Sequence, residues 1–163
     1  MIFSRTLKTK KVTKKYVIRY QCFDDRLCEI TEDFVVRHEG VESCKELPCA
    51  GGVKEIAVPT HQSVQDFILC HFRIVINGIR KKDPDAEIIV YLFNHTDCHY
   101  YRNHPNYAVF ETYEEEIETH IQHLFIAAEI VTLTFNVRVV PVLVRLEDSV
   151  EFEVIAIPEF AYV

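Results

Sequence analysis

Two apolar runs, each ending in a group of metal-ligating residue types, constrain this chain more than any other feature. Residues 16–21 (YVIRYQ) lead into Cys22-Phe23-Asp24-Asp25-Arg26, and residues 87–94 (EIIVYLFN) lead into His95-Thr96-Asp97-Cys98. The β-branched and aromatic content of both runs predicts strands. Side by side and parallel, they would release both groups at one edge of a sheet, the carboxyl edge at which open α/β sheets collect ligands.

The segment between the runs supports that arrangement. Over residues 63–82 the apolar positions Val64, Phe67, Ile68, Phe72, Val75, Ile76 and Ile79 recur at steps of three and four, which predicts an amphipathic helix stopped by Asp83-Pro84-Asp85. Strand, helix, strand implies a right-handed crossover joining parallel strands. Residues 34–37 (FVVR) read as a second short strand. Residues 38–59, punctuated by Pro48, Gly51-Gly52 and Pro59, read as irregular, a length that points to a function or an unrecognised element.

Beyond Cys98, residues 99–105 read as a polar, aromatic loop and 112–128 as a second helix, with Glu114, Glu115 and Glu116 where the helix dipole favours acids. Residues 137–145 form an almost unbroken apolar, hence buried, strand. Residues 149–157 alternate, as an edge strand paired antiparallel through the 147–149 turn would. The predicted fold is a single α/β domain over residues 1–163: a central, mostly parallel sheet, an antiparallel C-terminal edge strand, helices on both faces, and a basic arm at 1–15.

The chain carries a net charge of −7, yet its first twenty residues hold seven basic side chains and no acid. The acidic body argues against a nucleic-acid surface. No apolar stretch reaches the roughly 18–20 residues of a membrane span, and no secretory leader is evident, so a cytoplasmic location is expected. There the six cysteines (Cys22, Cys28, Cys44, Cys49, Cys70 and Cys98) should be thiols or metal ligands, not a disulfide framework.

Cys22, His95 and Cys98 supply the three nitrogen and sulfur ligands of a catalytic zinc site, in which a fourth position is left open. Two thiolates cancel the charge of the ion, so hydroxide chemistry there should favour alkaline pH. Asp24 lies close enough to compete for the open position. Arg26 offers a planar fork that can hold the carboxylate back and leave it free to orient a reactant. Other chemistries fit poorly: neither Cys22 nor Cys98 has the arginine six positions on that a thiol phosphatase needs, and there is no Gly-x-Ser-x-Gly elbow. His120 and His123 share a helix face, with no acid or cysteine partner evident.

Cys22-x-Asp24-x-Arg26 followed by His95-x-x-Cys98 resembles the β-class carbonic anhydrases, and Cys49-Ala50-Gly51-Gly52 resembles a glycine turn of that family. The resemblance covers residues 16 to about 101. It implies zinc on Cys22, His95 and Cys98, an Asp24/Arg26 catalytic dyad and a substrate pocket at Gly51 and Gly52. The implied activity is reversible hydration of carbon dioxide to bicarbonate by a metal-bound hydroxide, in a homodimer or higher homo-oligomer. Departures are Asp25 in place of a serine, His99 in place of a glycine, a glycine turn displaced by about five residues, and no counterpart of the family's N-terminal helical arm. His99 is a candidate proton relay or fourth zinc ligand, and His104 a second candidate relay. Two rival readings keep the site: hydrolysis of carbonyl sulfide or carbon disulfide, and a non-catalytic zinc protein in which His99 completes the coordination.

Overall fold

The structure is a computed structural model that describes residues 13–103, 110–146 and 149–155. Most of the basic arm, His104 and the 147–148 part of the last turn lie outside the described residues. Five strands form one sheet in the order β2-β1-β3-β4-β5. β1 (Lys15–Gln21), β2 (Lys45–Pro48), β3 (Glu87–His95) and β4 (Arg138–Leu146) run parallel, and β5 (Val150–Val154) pairs antiparallel with β4. The expected single α/β domain, with its mostly parallel sheet and antiparallel edge, is thus present.

Alternation along β3 builds two cores. Ile88, Val90 and Leu92 point to the layer made by α2 (Lys54–Ala57), α3 (Gln62–Lys82) and α5 (Tyr113–Phe135), where they meet Ile68, Phe72, Ile76, Leu124, Ala128 and Val131. Ile89, Tyr91 and Phe93 point to the opposite face, where α1 (Cys28–Glu39) packs through Val35. A period of two in the strands and of 3.6 in the helices is what places these residues together.

Four segments differ from expectation. Residues 34–37 lie inside α1 and not in a strand. Their β-branched pair favours a strand locally, but Leu27, Thr31 and Val35 recur at four-residue spacing and are all buried, while Phe34 stacks on Phe152 of β5 at 4.5 Å. Burial on one helical stripe overrides strand propensity, and Gly40, at φ 66°, closes the helix with its N–H on the Val36 carbonyl. The actual second strand is Lys45–Pro48, an edge strand whose charged residues hide it from a pattern search. α5 continues to Phe135, because Val131 and Phe135 extend its buried stripe, and Asn136 caps it in the left-handed region. The predicted loop after Cys98 begins as a short helix, α4 (His99–Asn103). Among the described residues, no helix is long and apolar enough to cross a membrane.

Candidate metal centre

Pairing of β1 with β3 sets Tyr20 opposite Leu92, so Cys22, just past the end of β1, comes level with the last residues of β3, and the two ligand groups meet. The ligand atoms of Cys22, His95 and Cys98 lie within 4.8 Å of one another, all three residues are buried, and among the described residues this is the one such group of three or more donors. The two sulfurs are 3.9 Å apart. A disulfide would need about 2.05 Å. Two thiolates at about 2.3 Å from one tetrahedral zinc stand about 3.8 Å apart, and the observed separation matches that.

His95 is oriented for the same task. Its Nδ1–H donates to the Thr96 carbonyl at 2.9 Å, which leaves Nε2, a fully buried atom with no hydrogen bond, as the donor to an ion. Thr96 anchors the turn to β4: its N–H donates to the Val144 carbonyl at 3.0 Å, and its hydroxyl accepts from the Leu146 N–H at 2.9 Å. The contact with Cys98 holds the Cys22 thiol well below its ordinary range against the opposing effect of burial, with His95 helping; the Cys98 thiol is pushed up by the Cys22 contact and by burial. One proton therefore leaves the pair readily and the second is retained. A cation is the group that would release it.

Asp24 and Arg26 form the dyad that their spacing suggests. Arg26 Nε donates to Asp24 Oδ1 at 2.9 Å and Nη2 to Oδ2 at 2.6 Å, and the Arg26 backbone N–H adds a third bond to Oδ1 at 3.0 Å. This fork holds the Asp24 carboxyl below its usual range, with partial burial opposing. Gly51 and Gly52 are also brought to the site, and both sit at positive φ (72° and 54°). A Cβ on Gly52 would lie 3.0 Å from the Phe93 carbonyl and 3.5 Å from the Cys22 nitrogen; on Gly51 it would strike the Tyr100 ring at 2.3 Å. The turn can lie against the ligand-bearing strands because it has no side chains there. His99, at the first position of α4, is exposed and outside the three-donor group.

Sequence reasoning missed the groups that support these residues. Asp97, between the two ligands of the second turn and at φ 59°, joins Arg26 at 3.3 Å and Arg102 at 2.6 Å. Glu116, read above as one of three dipole acids, is buried and accepts the Asp97 N–H at 2.7 Å. It also faces His120 Nε2 at 3.6 Å, so that histidine does have an acid partner, four residues earlier on the same helix. His120 and His123 each place Nδ1 on a buried neighbour, Asn94 at 2.8 Å and the Tyr101 hydroxyl at 2.9 Å. Beside the glycine turn, Lys54 and Glu55 form a buried ion pair.

No protein-family model matches the chain, and neither a curated protein nor a solved structure matches it.

Proposed function

We propose that this protein is a zinc-dependent carbonic anhydrase of the β type, interconverting carbon dioxide and bicarbonate. The observation that carries the reading is the Cys22/His95/Cys98 donor set with the Asp24 carboxylate locked by Arg26 beside it. Cys22 Sγ, His95 Nε2 and Cys98 Sγ would hold the ion, which supplies Lewis acidity that brings the ionisation of water toward neutral pH. Asp24, with both oxygens on Arg26, presents its remaining lone pairs to the attacking water and orients it. Arg26 keeps that carboxylate from becoming a ligand itself. The bare Gly51-Gly52 turn packs directly against Cys22 and Phe93 and would form one wall beside the substrate, and His99, exposed at the start of α4, is the candidate proton relay. A reducing compartment such as the cytoplasm suits a site whose two sulfurs must stay unpaired. A homo-oligomer belongs to the same reading and is checked by mass in solution.

The test is stopped-flow hydration of carbon dioxide by protein of measured zinc content, near neutral and at mildly alkaline pH. Turnover that rises with pH and disappears in Asp24→Ala, with zinc retained, is the expected result. Full zinc occupancy without turnover on carbon dioxide would overturn it, and turnover on carbonyl sulfide or carbon disulfide under the same conditions would move the assignment to that substrate.

A further inference from the structure

We propose that Asp97 is a positioning residue, whose carboxylate keeps the Arg26 fork seated on Asp24 and so fixes Asp24 beside the Cys22, His95 and Cys98 donors. Its consequence for turnover rests on the carbonic anhydrase reading; the positioning itself does not.

Arg26 spends Nε and Nη2 on Asp24, and Nη1 reaches Asp97 Oδ2 at 3.3 Å. Asp24 and Arg26 are near neighbours on one turn, and Arg26 is half exposed. An ion pair of that kind, alone, is weakly held. Asp97 comes from the other ligand turn, so the Arg26–Asp97 contact ties the two turns together. Its second oxygen, Oδ1, takes Arg102 Nη1 at 2.6 Å, Arg102 Nη2 reaches Glu116 Oε2 at 3.2 Å, and Glu116 Oε1 accepts the Asp97 N–H at 2.7 Å. Asp97, Arg102 and Glu116 thus form a closed ring anchored on a buried carboxylate.

The backbone gives an independent reason to look at this side chain. At φ 59°, position 97 lies in the left-handed region, which glycine enters freely and which, among other residues, aspartate and asparagine enter most readily. Glycine would serve the turn better, and it would remove the bond to Arg26. An aspartate that takes this backbone and also bridges arginines from two separate segments, Arg26 at 3.3 Å and Arg102 at 2.6 Å, points to the carboxylate as the reason it is there.

Asp97→Gly is therefore the informative variant, since it relaxes the backbone and removes only the carboxylate. The first readout is exchange of the Arg26 Nε–H with solvent, followed by NMR on the zinc-free and the zinc-loaded protein. The expected result is several-fold faster exchange in Asp97→Gly and an intermediate rate in Asp97→Asn, which keeps an oxygen acceptor and tolerates positive φ. Unchanged exchange in Asp97→Gly would overturn the proposal. The second readout is carbon dioxide hydration: kcat should fall by roughly tenfold with zinc content and KM unchanged. An active wild type whose kcat is insensitive to Asp97→Gly would also overturn it. A wild type without turnover, in which Arg26 exchange still responds, would retain the positioning role and defeat the carbonic anhydrase reading.

Discussion

Replacing Lys54 by methionine tests how the floor of the glycine turn is held. Lys54 and Glu55 are 1% and 3% exposed. Lys54 Nζ bonds Glu55 and the Thr60 hydroxyl, and Glu55 also accepts from the Thr60 N–H, the Thr60 hydroxyl and the Tyr100 hydroxyl, each at 2.9 Å or less. Burial alone would raise the Glu55 carboxyl, but Lys54, Thr60 and Tyr100 outweigh it and bring it down to about 2, from an ordinary 4.5. At about 1.4 kcal/mol per unit this difference is worth ~3 kcal/mol, fully present above the unfolded value and lost as pH falls through the folded one. In Lys54→Met the burial of Glu55 is no longer opposed by the ammonium. The loss should be about 3–5 kcal/mol, the usual result of removing one partner from a buried pair. Urea unfolding at pH ~7 should show it directly. In the variant the Glu55 pKa rises, so the carboxyl takes up a proton on mild acidification and the gap to wild type narrows toward pH ~5. Adding Glu55→Gln should recover much of the loss. A difference below about 1 kcal/mol at neutral pH, or one equally large at both pH values, would refute the reasoning, because it would mean that Glu55 gains little from Lys54 or stays ionised without it.

Burial holds the His123 imidazole down at about 4, helped by the nearby charges of His120 and Lys54. Its unfolded form binds a proton below about 6.5 that the folded form refuses, so stability should fall by ~3 kcal/mol as pH drops from about 6.5 to 4. His123→Phe should flatten that part of a plot of Tm against pH. Gly51→Ala and Gly40→Ala separate backbone strain from a clash: both sit at positive φ, but a Cβ on Gly40 meets nothing within 4 Å and one on Gly51 meets Tyr100. Gly40→Ala should cost about 1–2 kcal/mol and Gly51→Ala clearly more, as read by urea unfolding. Zinc at about a thousandfold above its Kd should stabilise the wild type by ~4 kcal/mol in thermal unfolding, and Cys22→Ser or a chelator should abolish most of that gain.

What the sequence made legible and what it hid divide along a physical line. A metal ligand must be a particular residue type at a particular reach, so Cys22, His95 and Cys98 stand out wherever the flanking strands can be recognised, and β1, β3 and α3 are recognisable from their periods. Support for those ligands needs only charge, and surfaces are full of charge. Glu116 looks like its neighbours Glu114 and Glu115 until the fold buries it under the Asp97 turn, and Lys54-Glu55 looks like a solvated pair until Thr60 and Tyr100 close over it. The strand in Lys45–Pro48 was hidden for a related reason, since an edge strand is built from the residues that loops also use. Each hidden element adjoins a visible one: β2 leads into the glycine turn, Lys54-Glu55 lies beneath it, and Asp97 sits between two ligands. The local signal therefore locates the site and the tertiary structure supplies what holds it. That is why the discriminating variants are at Asp97 and Lys54, where charge is buried or bridges two turns, and not at the candidate ligands, whose loss would abolish any metal binding under every reading of the function.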